Sequence, residues 1–519
     1  MTALPEFRLD DFLRNSAGTS PNHLAVIDGA AEYTYADLAR ATDAMSAALI
    51  EAGVAKGDRI GIYMEKSWEA IVGCLAASQA GAVFVNVNPG LKPAQVAYIV
   101  GDADIRVMLG DSDKLDALEP GTIQTAFYKG RRVPEGDATD LAEVLSGSGD
   151  GRRRVALETD LATILYTSGS TGMPKGVAFS QRNLVVGAQI VSQYLENTAE
   201  DRILSVLPFS FDYGLNQLTT ALRVGATLII QHSRLPGDLL RGLRRHRATG
   251  VAGVPPVWSL LLRNTTSLEA EPLESLRYIT NSGGRIPQAN LDEMRRLLPR
   301  TRIFLMYGLT EAFRSTYLPP EEIDRGSECI GKAIPNTEIL VIKDGRECAP
   351  DEVGELVHRG PTVAMGYWGK EEETRRAYRP NPLAPPELFE IERVVYSGDL
   401  VRKDADGYLY FVGRNDAMIK SMGYRMSPDE VENLLIASGL VREACAFGVP
   451  DPDLGQLLMA VVSLRDGVPE SAAESIREYA MKNGPVYMTP REIIVLAELP
   501  HGTTGKVDRR AIGDTYGAK

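Results

Sequence analysis

Short apolar runs alternate with helix-length segments through much of this chain, and this alternation restricts the possible folds more than any other feature. Strand-like runs extend from Arg59 to Met64, from Ala82 to Val87 and from Arg106 to Leu109, while the stretch from Tyr35 to Gly53 has the pattern of a helix. Strands separated by helices are typical of α/β proteins. The polar, glycine-rich stretch from Asp111 to Arg154 is interpreted as a surface excursion without recognisable chemistry. The sequence therefore predicts an α/β fold.

The remainder of the chain divides into three further regions. Strand-like runs recur at Arg202 to Leu207, Thr227 to Gln231, Gly250 to Val254, Tyr278 to Asn281 and Arg302 to Tyr307. These runs predict a second α/β layered subdomain. From Glu328 to Gly413 the turns are denser and the strands shorter, which favours a β-barrel-like subdomain. A small unit with a helix at Ser427 to Ser438 follows, so we expect a large domain of residues 1–414 and a small α+β domain of residues 415–519.

A phosphate-binding loop is predicted directly after the strand-like run from Leu161 to Leu165. It combines hydroxyl groups, glycines and a lysine: Thr167, Ser168, Gly169, Ser170, Thr171, Gly172 and Lys175. Glycine lets the backbone approach an anion closely, N–H and hydroxyl groups donate to its oxygens, and the lysine adds a positive charge. The spacing is not that of a Walker A loop, because two residues separate Gly172 from Lys175. A flexible Ser/Gly linker is the alternative interpretation.

A second candidate site follows the strand-like run that ends in Tyr307. The segment from Tyr307 to Glu311 brings an aromatic ring, a glycine, a hydroxyl and a carboxylate into one loop. The tyrosine ring can stack on adenine, Thr310 can donate to a phosphate oxygen, and Glu311 offers the hard oxygen ligand that Mg²⁺ prefers. Taken alone, the same segment also fits a strand that ends in a helix cap.

Composition excludes several other classes of protein. The 519 residues are 44% hydrophobic and 24% charged, which is typical of a globular protein with large cores. The formal charge of -13 argues against a nucleic-acid-binding surface, and no apolar run is long enough to span a membrane. The four widely separated cysteines form no zinc or disulfide pattern, and the N-terminus lacks the features of a signal peptide. A cytoplasmic location is expected, with no nucleic-acid partner.

The phosphate loop and the segment from Tyr307 to Glu311 closely resemble motifs of the adenylate-forming (ANL) superfamily. Its members include acyl- and aryl-CoA synthetases, adenylation domains of peptide synthetases and luciferases. They convert a carboxylic acid and MgATP into an acyl-adenylate and pyrophosphate, and then pass the acyl group to a thiol. The resemblance implies a luciferase-like adenylating fold, ATP and Mg²⁺ as cofactors, catalytic roles for Thr310 and Glu311, and Glu311 as the metal ligand. The whole chain is also similar to acyl-CoA ligases found beside bacterial exosortase systems and to stand-alone amino-acid adenylation domains.

Further stretches match this superfamily in the expected order and imply the remaining nucleotide contacts. The implied nucleotide-binding residues are Gly283, Gly284, Tyr307, Gly308, Asp399 and Arg414. Among them, Asp399 resembles the aspartate that accepts hydrogen bonds from the ribose hydroxyls. Ser397 stands two residues before it, where the superfamily usually has a threonine, so a hydroxyl is kept.

The small domain contains the implied catalytic lysine. Lys506 resembles the lysine that stabilises charge on the α-phosphate and the leaving pyrophosphate, although one residue is inserted before Thr503. In members of the superfamily, the small domain rotates about a hinge between the two half-reactions. The residues implied for the hinge and the thiol side are Asp416, Gly423, Tyr424 and Arg425.

The acid pocket is implied by the same resemblance. Its expected residues are Phe211, Asp212, Tyr213, Ser282, Met306 and Arg314. Many fatty- and aryl-acid ligases have a histidine where Phe211 aligns, whereas Asp212 falls where amino-acid-activating domains bind the substrate ammonium. A buried unpaired carboxylate is unfavourable, so Asp212 is expected to meet a substrate cation or Arg314. Two interpretations stay open: Asp212 and Arg314 neutralise each other as structure, or they bind a polar acid between them.

The predicted function is ATP-dependent activation of a carboxylic acid, followed by transfer to a thiol, with coenzyme A as the first choice of acceptor. The alternative is a stand-alone adenylation enzyme that loads an amino or hydroxy acid onto the phosphopantetheine of a separate carrier protein. A non-catalytic adenylate-binding protein is the hypothesis of another class. The joint presence of Lys175, Glu311, Asp399 and Lys506 argues against that hypothesis.

Overall fold

The computed structural model describes residues 5–167, 174–233, 235–387, 392–414, 419–426, 428–500 and 507–517. Its first elements are α1 (Leu9–Thr19), β1 (Leu24–Asp28), β2 (Ala31–Thr34), α2 (Tyr35–Glu51), β3 (Arg59–Tyr63), α3 (Trp68–Ala80), β4 (Val83–Asn86), α4 (Pro93–Asp102), β5 (Ile105–Asp111), α5 (Ser112–Asp116), β6 (Thr125–Lys129), β7 (Asp137–Asp140), α6 (Leu141–Ser146), β8 (Leu161–Thr167), β9 (Lys175–Ser180) and α7 (Gln181–Tyr194). The next are β10 (Arg202–Ser205), α8 (Asp212–Val224), β11 (Thr227–Ile230), α9 (Pro236–Arg245), β12 (Gly250–Gly253), α10 (Pro255–Leu262), α11 (Thr265–Ala270), β13 (Tyr278–Asn281), α12 (Gln288–Leu297), β14 (Arg302–Tyr307) and β15 (Thr316–Leu318).

A strand-rich region and then the small domain complete the chain. The strand-rich region contains β16 (Cys329–Ala333), β17 (Glu338–Lys343), β18 (Arg346–Glu347), β19 (Val353–Arg359), β20 (Gly366–Tyr367), α13 (Glu371–Ala377), β21 (Tyr378–Pro380), β22 (Arg393–Lys403) and β23 (Leu409–Arg414). The small domain contains β24 (Ile419–Ser421), β25 (Tyr424–Met426), α14 (Pro428–Ile436), β26 (Val441–Asp451), β27 (Gly455–Leu464), α15 (Ala473–Asn483), β28 (Glu492–Leu496) and α16 (Arg509–Tyr516). Short 3₁₀ turns occur at Thr310–Ala312, Pro320–Arg325, Glu470–Ala472 and Val486–Met488.

The first α/β layer contains an eight-stranded sheet in the order β20-β9-β8-β4-β3-β5-β6-β7. Its strands from β8 to β7 are parallel, whereas β9 and β20 are antiparallel additions at one edge. Every residue of β4 is buried, as is typical of a parallel strand covered by helices on both faces. The predicted phosphate loop is the connection between the antiparallel strands β8 and β9.

The second α/β layer contains the parallel strands β1, β11, β10, β12, β13 and β14 in that order. The antiparallel β15 and β16 join this sheet to the β subdomain of β17, β18, β19, β22 and β23. Because neighbouring strands β10 to β14 run parallel, their carboxyl ends meet at one edge, where ligands of open α/β sheets bind. The predicted α/β fold with a strand-rich subdomain is confirmed.

The interpretation of Asp111 to Arg154 as a surface excursion is wrong. This stretch adds β6 and β7 to the parallel sheet beside β5, and it contains the helices α5 and α6. The central residues Ala126, Phe127 and Tyr128 of β6 are buried. A run of three apolar residues in a polar, glycine-rich segment is too short for the sequence pattern to distinguish a strand from a turn.

The small domain has a separate five-stranded sheet in the order β25-β24-β27-β26, with β28 parallel to β27. Its core contains Ile419 of β24, Val431 and Leu435 of α14, Val462 of β27 and Ile476 of α15. The predicted helix at Ser427 to Ser438 is observed as α14, while the boundary between residues 414 and 415 stays a prediction. Across the described ranges, no helix is long and apolar enough to cross a membrane.

Candidate active site

A cavity of about 750 Å³ lies where strands of both α/β layers end. Its wall includes Thr167 at the carboxyl end of β8, Val206 after β10, Val254 after β12 and Leu309 after β14. Gly423 and other residues of the small domain also line it. The cavity therefore lies between the two domains, at the sheet edge where the fold favours ligand binding.

The two ends of the predicted phosphate loop lie at this cavity. Thr167 and Lys175 are the last register pair before the connection between β8 and β9, and both line the cavity. The Nζ atom of Lys175 is 5.5 Å from the centre of the Tyr367 ring. The Tyr98 hydroxyl donates to the carbonyl oxygen of Pro174 at 3.4 Å, which ties the loop end to α4. The other predicted residues of this loop, Ser168, Gly169, Ser170, Thr171 and Gly172, lie outside the described residues.

Thr310 and Glu311 lie in the 3₁₀ turn after β14, and both line the cavity. The Tyr367 hydroxyl donates to Oε1 of Glu311 at 2.7 Å. Thr310 Oγ1 donates to Oδ1 of Asp212 at 3.4 Å. A carboxylate oriented in this way is a suitable oxygen ligand for Mg²⁺. In the described part of the chain, this site included, no group of three or more His, Cys, Asp or Glu side chains could hold a metal ion.

Tyr367 was not predicted as a site residue. It lies in β20 opposite Val177 of β9, so strand pairing brings it to the phosphate loop. Its ring contacts the Tyr378 ring edge-on, with the centres 5.7 Å apart. The preceding Gly366 has a φ of +134°. A Cβ atom there would lie 2.7 Å from Thr374 Cγ2, so this position requires glycine. The glycine directly before Tyr367 was therefore the only feature of the local sequence that could have indicated a constrained position.

Tyr307 and Asp399 form a buried hydrogen bond at the predicted nucleotide site. The Tyr307 hydroxyl donates to Oδ2 of Asp399 at 2.6 Å. The Asp399 N–H donates to Oγ of Ser397 at 3.0 Å, and that hydroxyl donates to the carbonyl oxygen of Leu356 at 2.7 Å. The hydroxyl of Ser397 therefore holds the irregular part of β22 that contains Asp399. Arg414 lies opposite Asp399 in the β22–β23 ladder.

The predicted glycine turn follows β13 and lies beside the acid pocket. Gly283 has a φ of +76°, and a Cβ atom there would lie 3.2 Å from Val254 Cγ1 and 3.9 Å from the Phe211 ring. A Cβ at Gly284 would lie 3.1 Å from Pro255 Cγ. A side chain at either position would therefore crowd the loop after β12. A Cβ atom at Gly308 would lie 3.4 Å from the Cα atom of Arg314, which is an ordinary van der Waals contact.

Asp212, in the cavity wall, forms a buried ion pair with Arg314 behind it. Arg314 Nη1 lies 3.1 Å from Asp212 Oδ2, with side-chain exposures of 2% and 5%. The same Nη1 donates to the Phe313 carbonyl oxygen at 2.8 Å, and the guanidinium lies 4.5 Å from the Tyr213 ring centre. Burial raises the pKa of Asp212, and the Arg314 guanidinium opposes that rise. Of the two interpretations of this pair, the observed contact is the one expected if the residues neutralise each other.

The other predicted acid-pocket residues surround this pair. Phe211 and Asp212 line the cavity, whereas Tyr213, Ser282, Met306 and Arg314 are buried behind it. The Tyr213 and Thr280 hydroxyls share a hydrogen bond of 2.6 Å. The space behind Asp212 is therefore filled by side chains.

His358 extends the buried polar cluster and was also missed from the sequence. Its Nδ1 is 2.9 Å from Ser315 Oγ, and its Nε2 is 3.1 Å from Thr362 Oγ1. The Thr362 hydroxyl also lies 3.4 Å from the carbonyl oxygen of Arg314, to which it donates. Burial lowers the pKa of His358 to about 3, so the imidazole is neutral at physiological pH.

The small domain contributes Gly423 and Tyr424 to the cavity wall. Gly423 has a φ of +80°, and a Cβ there would lie 2.9 Å from Val254 Cγ2 in the large domain. The Tyr424 ring stacks on Tyr487 with centres 3.9 Å apart and an angle of 5°. Arg414 and Arg425 lie in β23 and β25. Asp416 and Lys506 lie outside the described residues.

A second cavity of about 430 Å³ adjoins the first between the domains. The two share Pro208 and Ser210 of the large domain and Tyr424 and Tyr487 of the small domain. Lys66 also lines the second cavity, and its Nζ donates to the carbonyl oxygens of Ser205 and, at 3.3 Å, of Leu207. The two cavities therefore adjoin each other at these shared residues.

Comparison with known proteins identifies the family. Residues 13–368 match the family described as AMP-binding enzyme, and residues 430–506 match the AMP-binding enzyme C-terminal domain. The L-proline--[L-prolyl-carrier protein] ligase of Streptomyces coelicolor is 30% identical over 96% of this chain and 96% of its own length. Bacitracin synthase 3 of Bacillus licheniformis is 30% identical over 97% of this chain. The chain spans only 8% of that synthase and 6% and 10% of two other peptide synthetases that it matches.

Solved structures of one synthetase match this chain to different degrees. The o-succinylbenzoate CoA synthetase of Bacillus subtilis, as a double mutant bound to a product analogue, has a TM-score of 0.84 at 27% identity, covering 97% of this chain and 98% of that chain. The same synthetase bound to its acyl-adenylate intermediate has a TM-score of 0.69 at 26% identity, covering 99% and 98%. These matches, together with the geometry of the cavity, show that the chain belongs to the AMP-binding enzyme family within the adenylate-forming (ANL) superfamily.

Proposed function

We propose that this protein is an acid–thiol ligase that uses ATP to activate a carboxylic acid and then transfers the acyl group to coenzyme A. The observation in favour of coenzyme A is the structural similarity to a CoA synthetase over 97% of this chain, and the placement of the small domain supports transfer to a thiol of either kind. Gly423 packs on Val254 and Tyr424 lines the cavity, in an overall arrangement that resembles the product-analogue complex of a CoA synthetase more than its acyl-adenylate complex. The division into residues 1–414 and 415–519 belongs to this proposal.

In the proposed first half-reaction, an oxygen of the substrate carboxylate attacks the α-phosphorus of ATP, and pyrophosphate leaves with the electrons of the broken P–O bond. Thr167 and Lys175 are assigned to the phosphates, and Thr310 to a hydrogen bond with the α-phosphate. Lys506 is assigned to the charge that develops in the transition state. Mg²⁺ would neutralise phosphate charge, and Glu311 is the oxygen ligand that would hold it.

The nucleoside is assigned to the loops around Tyr307 and Asp399. Tyr307 offers an aromatic face, and Asp399 offers carboxylate oxygens for the ribose hydroxyls. The hydroxyl of Ser397 supports this role because it orients the Asp399 backbone. Arg414 follows in the adjacent strand and is proposed as a further nucleotide contact.

In the proposed second half-reaction, the sulfur of the thiol attacks the acyl carbonyl carbon and AMP leaves with the bond electrons. The thiol arm is proposed to enter along the residues shared by the two cavities, past Tyr424 and Tyr487. Asp416 is the proposed hinge, and Arg425 is assigned to the thiol side. We propose that the small domain rotates between the half-reactions, because Lys506 is assigned to the first and the thiol route past Tyr424 to the second.

A carrier protein is the second candidate acceptor. The observation in its favour is the 30% identity to the prolyl-carrier protein ligase over nearly the full length of both chains. The phosphopantetheine arm of a carrier ends in the same thiol as coenzyme A, so the route past Tyr424 fits both. The two acceptors differ in what remains at the surface, which is a nucleotide for coenzyme A and a folded protein for a carrier.

The test is acid-dependent ATP–pyrophosphate exchange with a panel of fatty, aryl, hydroxy and amino acids, followed by addition of coenzyme A or a phosphopantetheinylated carrier. A new CoA thioester with release of AMP is the expected result. Exchange without CoA turnover, but with acylation of a carrier, would favour the second candidate. If none of the acids supports exchange, the result would contradict both candidates.

Lys506→Ala adds a test of mechanism to the same assay. The variant should lose exchange while it still forms thioester from supplied acyl-adenylate. Equal loss in both half-reactions would contradict the assigned role of Lys506.

A further inference from the structure

We infer that Arg314 makes the acid pocket select carboxylic acids that carry no ammonium group near Asp212, such as unsubstituted or hydroxy acids. This inference deepens the proposed function and rests on it. It concerns the chemical class of the substrate, which the family alone leaves open because its members include both amino-acid and other acid ligases.

The first step is the position of Asp212. It is the first residue of α8, directly after Phe211, and both residues line the cavity. Its Oδ1 accepts from the hydroxyl of Thr310, the residue assigned to the α-phosphate. A substrate bound next to Thr310 for attack on the α-phosphorus would therefore have Asp212 as a neighbour.

The second step is that the charge of Asp212 is already balanced. Arg314 lies 3.1 Å from Asp212 Oδ2, and neither side chain is more than 5% exposed. The guanidinium is held in place by the Phe313 carbonyl oxygen and by the face of the Tyr213 ring. Because the buried Arg314 guanidinium is always charged and already compensates Asp212, binding of a second cation to Asp212 is not favoured.

The third step is the position of the Arg314 cation. Its Nε and Nη2 atoms have no hydrogen-bond partner among the described residues. An ammonium placed against Asp212 would therefore approach a buried like charge at low dielectric, which opposes binding. The other carboxylate beside Thr310 is Glu311, which accepts from Tyr367 and is assigned to the metal ion. The pair Asp212–Arg314 thus offers an ammonium no uncompensated carboxylate and places a buried cation beside it.

The experiment compares matched acids that differ only at the α-carbon. Propionate, lactate and alanine form one series, and larger side chains give further series with hydrogen, hydroxyl or ammonium at that carbon. The measurement is kcat/KM for acid-dependent ATP–pyrophosphate exchange. In the wild type we expect each accepted acid to be favoured over its amino counterpart by at least about 100-fold, because the buried guanidinium repels the ammonium.

Two variants distinguish selection by charge from a purely structural pair. Arg314→Met should raise the ratio of amino acid to unsubstituted acid by at least about tenfold, because Asp212 is then left without its partner. In the double variant Arg314→Met with Asp212→Asn, this gain should vanish. Arg314→Lys keeps the positive charge and should retain the wild-type preference.

The outcomes separate this inference from the proposed function. If the wild type uses the amino acid of a series as well as or better than its partners, the inference is overturned while adenylation stands. That comparison needs no variant, so it holds even if Arg314→Met fails to fold. If no acid of any series supports exchange, and acyl-sulfamoyladenosines of both kinds fail to bind in calorimetry, the proposed function fails and the inference fails with it.

Discussion

At the scale of single residues, the site depends on hydroxyl groups that orient carboxylates. Tyr367 donates to Glu311, Tyr307 donates to Asp399, and Thr310 donates to Asp212. A hydrogen bond to an ionised carboxylate is about twice as strong as one between neutral groups, and it also fixes direction. The carboxylates assigned to metal and ribose therefore have defined orientations before a ligand binds, Glu311 in the cavity wall and Asp399 buried beside the lining residues Ser397 and Gly398.

Tyr367→Phe tests this orientation at Glu311. The variant removes the hydroxyl 2.7 Å from Oε1 and keeps the ring beside Lys175. We expect kcat/KM for MgATP to fall about tenfold, since a hydrogen bond to a charged group contributes about 1.5–3 kcal/mol. The control is Tyr378→Phe, which loses only a 3.4 Å contact with the Glu311 carbonyl oxygen and should change kcat/KM little. Equal effects in both variants would contradict a specific role for Tyr367.

His358 predicts a pH dependence of stability. Burial lowers its pKa to about 3, whereas an exposed histidine titrates near 6.5. Between these values the unfolded chain binds the proton more readily, so the stability that depends on neutral His358 is complete above about pH 6.5 and falls as the pH drops through this window. From pH 6.5 to 5 the loss should be about 1.5 kcal/mol.

The measurement is urea unfolding at these two pH values for the wild type and His358→Gln. The variant should show a smaller fall in the unfolding midpoint between pH 6.5 and pH 5. His246→Gln is the control, because His246 has a lowered pKa but is partly exposed. If His246→Gln and His358→Gln flatten the pH dependence equally, burial of His358 is not its cause.

At the scale of elements, the contact between Gly423 and the loop after β12 joins the domains. The turn between β24 and β25 needs a positive φ at Gly423. The position that a Cβ atom of residue 423 would occupy is also close to the Val254 side chain. Only glycine meets both conditions without displacing the neighbouring loop.

Gly423→Ala is therefore expected to disturb the observed domain arrangement more than the first half-reaction. The added Cβ would lie 2.9 Å from Val254 Cγ2, which is closer than carbon atoms pack. We expect thioester formation from supplied acyl-adenylate to fall at least about tenfold while ATP–pyrophosphate exchange changes little. Gly439→Ala is the control, because Gly439 also has a positive φ, +75°, but no atom lies within 4 Å of its Cβ position. If Gly439→Ala lost thioester formation to a comparable extent, backbone strain and not the contact with Val254 would be the cause.

The sequence predicts elements well where one apolar run forms one buried strand. β13 and β14 have the predicted bounds because turn residues flank both runs. β6 was missed because its buried centre is only three residues long. In the site, motif residues that are close in sequence were predicted together, such as Thr310 and Glu311. Tyr367 was missed because its position depends on pairing between β9 and β20, strands that are far apart along the chain.

At the scale of the whole molecule, the four cysteines are buried and reduced. Burial raises the pKa of Cys74 to about 12 and that of Cys445 to about 11, so these thiols are protonated and unreactive at neutral pH. Cysteines introduced at the surface can therefore be labelled selectively in the otherwise native chain.

Spin labels on the two domains should report the proposed rotation. Val155→Cys in the large domain and Met481→Cys in the small domain are suitable, because the native side chains are 80% and 51% exposed. We expect the interlabel distance distribution to shift when an acyl-sulfamoyladenosine replaces coenzyme A as the ligand. The control pair Val133→Cys and Val155→Cys lies within the large domain and should show no shift. An unchanged distance in the first pair would contradict rotation between the half-reactions.

The β22–β23 ladder has a mechanical consequence for the proposed cycle. Asp399 and Arg414 are register partners in this ladder, and Arg414 is the last residue of β23 before the chain passes to the small domain. Residues in register cannot slide past each other without breaking the ladder. Under the proposed assignment, β22 binds the ribose through Asp399 and also pairs with Arg414, the last residue of the large domain before the proposed hinge. A bound nucleotide would then hold this end of the β22–β23 ladder rigid while the small domain rotates.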